Sequence, residues 1–208
     1  MAEDKIKRKC IKLAMLGDSK VGKTSICQRF MNLEFNVNAL STIGSDKLEV
    51  PMKMKNGEDI KLIIYDTAGQ ERFRAIAIKS IRHVQGVLVV FDVTSKESFN
   101  NVVNWLDEIN ENYKNVSVIL LGNKVDNDNS KWEVTREEAQ RFAKEKLLTY
   151  FETSAKLRQG INEAFEYIAN VAYEKYEGSV GVQLDDIKKE KVNDGGCCGG
   201  GKKKKNNK

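Results

Sequence analysis

A phosphate-binding pattern near the start of the chain constrains its fold more than any other stretch. Residues 17–24, GDSKVGKT, match G-x-x-x-x-G-K-[ST] and follow an apolar run at residues 11–16. This order predicts a buried strand, a glycine-rich turn and a helix, which together direct several backbone N–H groups at one anion. Glycine is expected at 17 and 22 because a Cβ would hinder the turn and the approach of a phosphate. Lys23 is expected to reach the outer phosphates, and the Thr24 hydroxyl to bind Mg²⁺.

Apolar segments alternate with segments of helical periodicity along the rest of the chain. Asn56-Gly57, a strong hairpin signal, predicts that the second and third strands are antiparallel, and Pro51 predicts that the second lies at a sheet edge. Helices in the other connections favour parallel pairing, with helices on both faces of the sheet. The sequence therefore predicts an α/β fold of the phosphate-loop type, with a mostly parallel six-stranded sheet and one antiparallel edge strand. The predicted strands are residues 10–16, 47–54, 60–65, 86–91, 116–121 and 149–152.

Two spacings of the capping-box type predict where helices begin. Thr94 stands three residues before Glu97, and Thr135 stands three residues before Glu138. In a capping box the first hydroxyl accepts a hydrogen bond from the backbone N–H three residues later. Helices are therefore predicted to start directly after Thr94 and Thr135.

Polar residues follow the predicted strands, at the sheet edge where ligands bind in folds of this class. Asp66 follows the third strand, where a carboxylate can meet Mg²⁺ opposite the phosphate loop, although a lone aspartate is also a common turn or capping residue. Gly69 can bring its N–H close to a terminal phosphate. The Gln70 amide can both donate to and accept from an attacking water, which makes Gln70 a candidate catalytic residue.

Residues 123–126, NKVD, lie just past the fifth predicted strand. A carboxylate can accept two hydrogen bonds from the amide N–H and exocyclic amine of guanine, whereas adenine offers no such pair of donors on that edge. Asp126 is therefore predicted to select guanine. Asn123 would orient the loop and the base, the Lys124 stem would cover one face of the ring, and Ala155 would offer its N–H to the guanine carbonyl. Taken alone, N-K-x-D is also ordinary turn composition.

Together these motifs resemble the Ras superfamily of small GTPases over about residues 8–175. The segments 41–46 and 61–74 and the cysteine pair at 197 and 198 are most similar to the Rab branch. The resemblance implies that Thr42 closes on Mg²⁺ and the terminal phosphate, and that Phe35 packs edge-on against guanine. It implies catalysis by Gln70, Lys23 and Thr42, and Mg²⁺ ligands at Thr24, Thr42 and Asp66. The implied contacts to GTP or GDP are Ser19, Val21, Gly22, Lys23, Thr24, Ser25, Phe35, Thr42, Gly69, Asn123, Lys124, Asp126, Ser154, Ala155 and Lys156.

The resemblance implies a molecular switch that hydrolyses GTP slowly and recruits effectors in its GTP form, in vesicle or membrane traffic. Residues 36–46 and 67–82 would contact exchange factor, GTPase-activating protein and effectors. A Ras-superfamily GTPase of another branch, with other effectors, is one alternative. A phosphate-loop ATPase or small-molecule kinase is another, which Asp126 and the lack of an arginine-rich lid oppose. A third is a membrane-bound scaffold with a vestigial nucleotide site.

Several positions depart from the Rab pattern. Rab proteins usually carry an aromatic triad that binds partners, but Lys47 and Ser80 occupy two of its positions and Tyr65 replaces the tryptophan of the third. Lys20 stands where Rab proteins often have a small residue. Binding of the usual Rab effectors is therefore not expected.

The formal net charge of +5 equals the lysines at 202–205 and 208, and no acid follows Asp194. The near-neutral remainder argues against a nucleic-acid partner and confines any attraction to anionic membranes to the tail. The charged start lacks the apolar stretch of a signal peptide, which predicts an intracellular protein with reduced cysteines. Cys10 and Cys27 are predicted to be small buried residues.

The predicted organisation is an N-terminal extension at 1–7, a nucleotide-binding domain at 8–176 and a flexible tail at 177–208. The tail has no periodicity and holds seven of the fifteen glycines. Cys197 and Cys198 are candidate lipidation sites for binding the cytoplasmic side of an intracellular membrane, in exchange with the cytosol. Rab proteins end near a doubly geranylgeranylated cysteine pair, but here ten residues follow Cys198. Prenylation after processing, thioacylation and an unmodified tail remain open.

Overall fold

A computed structural model describes residues 9–32, 45–67, 84–113 and 115–192 of this chain. Its strands are β1 Cys10–Leu16, β2 Ser45–Lys53, β3 Asp59–Thr67, β4 Gly86–Asp92, β5 Ser117–Asn123 and β6 Thr149–Thr153. They form a six-stranded sheet in the order β2-β3-β1-β4-β5-β6. The pair β2–β3 is antiparallel and the other neighbouring pairs are parallel. The predicted mostly parallel sheet with one antiparallel edge strand is confirmed.

Helices follow β1 and occupy the connections from β4 to β5 and from β5 to β6, as predicted. None of the helices in the described part of the chain is both long and apolar enough to cross a membrane. The helices are α1 Lys23–Phe30, α2 Lys96–Asn100, α3 Val102–Asn112, α4 Arg136–Glu145 and α5 Ile161–Val192, with a short 3-10 helix at Asn129–Lys131.

The sheet separates two apolar cores, because successive side chains of a strand point to opposite faces. In β1, Leu13 packs with Ile26 of α1 and Phe165 of α5. Its neighbour Ala14 packs in the other core with Trp105 of α3, together with residues of α2 and α4. Covering both faces explains why the central strands are apolar throughout rather than alternating with polar residues.

The β2–β3 hairpin confirms both predictions made for it. Its turn closes where the Met54 N–H donates to the Glu58 carbonyl at 2.8 Å. The Asn56 side chain accepts from the Glu58 N–H at 3.0 Å, a local bond that favours asparagine in turns. Pro51 lies in β2, at one end of the strand order, where its missing N–H costs the sheet little.

The predicted helix starts are half right. Thr135 precedes α4 and accepts from the Glu138 N–H at 3.2 Å, as expected of a cap. The cap of α2 is Ser95, not Thr94, because the Thr94 hydroxyl instead donates to the Asp92 carboxylate at 2.7 Å. A competing acceptor two residues earlier therefore moved the helix start by one residue.

Two further predictions need correction. Cys27 is buried as predicted, but Cys10 is exposed because it lies at the open beginning of β1. Asp66 and Asn123 belong to the ends of their strands rather than following them. Helix α5 continues to Val192, and the predicted domain boundary at 176 stays a prediction.

Candidate functional site

The phosphate loop connects β1 to α1, and its two glycines are required by neighbouring protein atoms. A Cβ on Gly17 would lie 2.2 Å from the carbonyl oxygen of Val90, and a Cβ on Gly22 would lie 2.3 Å from Asn123 Nδ2. Both glycines have a positive φ, of 140° and 100°, which residues other than glycine rarely adopt. The loop therefore packs against the ends of β4 and β5, a reason for glycine that the sequence did not reveal.

The phosphate loop itself holds the Lys23 side chain in place. Its side chain is buried, and Nζ donates to the Gly17 carbonyl at 2.9 Å and to the Asp18 carbonyl at 2.7 Å. Burial lowers the pKa of Lys23 to about 8, against the opposing effects of the Asp66 and Asp18 charges. A poorly solvated cation under a loop of N–H groups is suited to bind an anion.

Thr24 and Asp66 meet where α1 begins and β3 ends. The Thr24 hydroxyl donates to Asp66 Oδ2 at 2.6 Å, and the Asp66 side chain is almost fully buried. The next residue, Thr67, donates to the Met15 carbonyl at 2.6 Å and ties the end of β3 to β1. A hydroxyl and a carboxylate are oxygen ligands of the kind Mg²⁺ prefers, so the two predicted metal ligands present here fit that ion.

Asn123 connects the two halves of the predicted site. At 1% exposure, its Nδ2 donates to the Val21 carbonyl at 2.8 Å, and its Oδ1 accepts from the Thr153 hydroxyl at 3.2 Å. The end of β5 is thereby hydrogen-bonded to the phosphate loop on one side and to β6 on the other. The predicted role of Asn123 in orienting its loop has a geometric basis.

Asp126 lies in the loop after β5 and receives donors from the loop after β6. Ser154 donates to Asp126 Oδ1 at 2.6 Å, and Lys156 Nζ is 3.8 Å from Oδ2. Ser154 is itself fixed, because its Oγ accepts from the Leu157 N–H at 3.0 Å. Ala155, between these partners, is buried. The two predicted base-binding loops are therefore in direct contact.

One residue of this region was missed by the sequence predictions. Asp92, at the end of β4, is 7% exposed, and its Oδ2 lies 2.5 Å from Lys124 Nζ. Its Oδ1 accepts from the Thr94 N–H at 2.9 Å, which fixes the carboxylate. Lys124 has a φ of 68°, so the chain turns directly after β5 and brings the lysine back over β4. An acid that ends an apolar strand, as Asp66 does, was the signal that could have identified Asp92.

The remaining predicted residues divide into two groups. Ser19, Val21 and Ser25 lie in the phosphate loop or the first turn of α1, beside Lys23 and Thr24, and Val21 is buried. The others lie outside the described residues, and their roles stay predictions: Phe35, Thr42, Gly69, Gln70, Cys197 and Cys198.

Comparison with known proteins agrees with this geometry. Residues 12–174 match the sequence model of the Ras family. The chain is 43% identical over 159 residues to the Ras-related protein Rab-13 of Rattus norvegicus, covering 76% of this chain and 77% of the relative. It is 43% identical over 160 residues to the Ras-related protein RABE1e of Arabidopsis thaliana, with 76% and 73% covered. The Ras-related protein RAB1BV of Beta vulgaris is 44% identical over 160 residues, with 76% and 74% covered.

Proposed function

Because this chain belongs to the Ras family, we propose that it alternates between a GTP-bound and a GDP-bound state and recruits effectors in the GTP-bound state. The chain is a small GTPase, so its reaction is hydrolysis of GTP to GDP and phosphate. A switch of this kind needs segments whose order depends on the terminal phosphate. Residues 36–46 and 67–82 are those segments, and exchange factor, GTPase-activating protein and effectors bind there.

The main support for this proposal is that the Asn123 side chain joins the phosphate loop to residues 123–126, here called the base loop. The hydrogen bond from Asn123 Nδ2 to the Val21 carbonyl measures 2.8 Å. A site for phosphate alone, or for a base alone, would need only one of these loops. The link supports a single ligand that spans both, namely a nucleoside that carries phosphates.

The base loop supports guanine rather than adenine. Asp126 has a carboxylate that is 10% exposed and is held by Ser154. A carboxylate matches the two donors on the edge of guanine, whereas adenine offers no such pair of donors on that edge. The Lys124 stem covers one face of the ring, with its ammonium paired to Asp92 at 2.5 Å.

On the phosphate side of the site, Lys23 and Mg²⁺ would supply the positive charge that binds the phosphates. Thr24 and Asp66 would hold the ion, with Thr42 joining them in the GTP-bound state. The ion would supply positive charge at the outer phosphates. The protonated Lys23 ammonium adds a second positive charge beside the outer phosphates.

Hydrolysis by the chain alone is slow. Gln70 positions the attacking water, but residues 36–46 contain no arginine. An arginine finger is worth about 10³ to 10⁵ in rate, so an activating partner is needed to supply it.

Membrane traffic is the cellular process that the Rab-named relatives and the tail support. Cys197 and Cys198 carry lipid and the lysines at 202–205 attract anionic lipid, because one acyl chain needs such a second signal for stable anchoring. Prenylation after processing is the leading form and thioacylation the next. The protein then cycles between the cytosol and the cytoplasmic side of an intracellular membrane.

The proposal is tested by nucleotide competition against a fluorescent GDP analogue. We expect wild type to prefer GTP over ATP by at least about a hundredfold, as polar base recognition allows. Asp126→Asn should weaken GTP and strengthen xanthosine triphosphate, because xanthine presents an acceptor where guanine presents an amine. Asp128→Asn is the matched control, since Asp128 accepts from the Ser130 N–H at 3.1 Å and caps the 3-10 helix. An unchanged preference in Asp126→Asn would remove that residue from the site.

A further inference from the structure

Asp18, in the phosphate loop, makes contacts that nucleotide binding does not explain. Its Oδ1 accepts from the Trp105 indole N–H at 2.8 Å, and its Oδ2 accepts from Asn101 Nδ2 at 2.7 Å. Its backbone carbonyl accepts from Lys23 Nζ at 2.7 Å. One residue therefore joins helix α3 directly to the lysine of the phosphate loop.

The donors to Asp18 are firmly placed. Trp105 is fully buried in the core between the sheet and α3. Asn101 lies between α2 and α3. Its backbone is fixed, because its N–H donates to the carbonyls of Glu97 and Phe99 in α2. Hydrogen bonds from such donors to a carboxylate are stronger than those between neutral groups.

The charge of Asp18 makes this placement functionally relevant. An aspartate in a loop that binds phosphates would repel them if its carboxylate were free to approach. Two N–H donors, one on each oxygen, hold this carboxylate on α3 instead. The same contacts fix the Asp18 carbonyl that orients Lys23.

We propose that Asp18 is a positioning residue, through which Trp105 and Asn101 set the Lys23 ammonium for the outer phosphates. This inference rests on the proposed function. It predicts an effect on GDP that is absent for GMP, since GMP lacks the outer phosphate and shares the base.

The test measures the affinities of the full-length protein for GDP and GMP by competition. Asn101→Asp places two carboxylates face to face and should weaken GDP about tenfold, the worth of a charged hydrogen bond, with GMP unchanged. Adding Asp18→Asn restores one donor and one acceptor at this contact, so the double variant should return to within about threefold of wild type. Trp105→Phe should also weaken GDP relative to GMP.

A matched control separates hydrogen bonding from added charge. Asn110→Asp introduces the same charge on α3, more than two turns further along, at an exposed residue. We expect its GDP to GMP ratio to equal that of wild type. The inference is overturned if Asn101→Asp leaves the ratio unchanged, if Asn110→Asp alters it equally, or if the double variant fails to restore it. These outcomes decide the matter even if Trp105→Phe does not fold, and failure of wild type to bind GDP would instead contradict the proposed function.

Discussion

Lys23 illustrates how one residue links protonation to ligand binding. Its pKa of about 8 results mainly from burial, which disfavours the charged form. The unfolded chain keeps this proton up to about pH 10.4. Between these values the unfolded state binds more protons than the folded state, so the Lys23 contribution to the free energy of unfolding rises with pH.

The first prediction follows from that pKa. Phosphate binding favours the ammonium, so GDP binding at pH 8.5 should take up more than about half a proton beyond the uptake of Lys23→Met. Calorimetry in two buffers of different ionisation enthalpy measures the uptake, and the variant accounts for protons exchanged by GDP itself. At pH 6.5 the two proteins should take up equal numbers. Equal uptake at pH 8.5 would show that Lys23 is already fully charged before binding.

Gln70 carries the second prediction at this scale. Gln70→Leu removes the amide proposed to position water, and we expect the variant to retain GTP at least about tenfold longer than wild type in single-turnover cleavage. GDP affinity should be unchanged, because the substitution does not alter the contacts to the base or to the β-phosphate. Equal cleavage rates would exclude this role for Gln70.

At the scale of elements, strand register assembles the site. Asp92 of β4 pairs with Asn123 of β5, which pairs with Thr153 of β6, and Asp66 of β3 pairs with Met15 of β1. The strand ends therefore align, and residues far apart in sequence meet at one edge. Between these strands, the Ser95 and Thr135 caps define where the following helices begin.

Thr135 provides a test of that capping. Thr135→Ala should lower the free energy of unfolding by about 1 kcal/mol, because the Glu138 N–H loses its acceptor at the start of α4. Thr135→Ser keeps the hydroxyl and should differ from wild type by much less. Urea unfolding of the GDP-bound protein measures both. A loss in Thr135→Ser equal to that in Thr135→Ala would indicate that methyl packing, rather than the cap, stabilises the helix.

At the scale of the whole molecule, we expect the proposed effector surface to be more polar than that of a typical Rab protein. Lys47 and Tyr65 face each other across the β2–β3 pair. Lys47 is half exposed, and its Nζ lies 2.6 Å from Glu49 Oε1. Partner proteins gain most of their affinity from buried aromatic and apolar contacts, which this charged pair does not offer.

Restoring aromatic residues should therefore change partner choice. We expect Lys47→Phe with Ser80→Tyr to create binding to common Rab effectors in a pull-down with GTP-loaded protein. Lys53→Phe, at the other end of β2, is the control for added apolar surface. Strong binding of a panel of these effectors by wild type would contradict the inference from the triad.

The tail prediction also concerns the whole molecule. Intact-mass measurement of protein from the membrane fraction of its own cells should show lipid on Cys197 or Cys198, with residues 199–208 removed if the lipid is prenyl. Full-length, lipid-free protein in that fraction would contradict the proposal. A mainly soluble, unmodified protein would favour the unmodified tail.

The sequence by itself determined that the sheet is mostly parallel with one antiparallel edge strand, where the hairpin lies, and the positions of the site motifs. These depend on local signals: apolar periodicity, the Asn56-Gly57 turn and the spacing from Gly17 to Thr24. Such signals act between residues close together in the chain, so they can be read without a structure.

Only the tertiary structure decided what those motifs contact. The pairing of Lys124 with Asp92 depends on strand register, which aligns the end of β5 with the end of β4. The Asp18–Trp105 contact joins residues 87 positions apart. Hydrogen bonds of this kind leave no periodic trace in a sequence, because they are set by which surfaces the packed sheet and helices bring within about 3 Å.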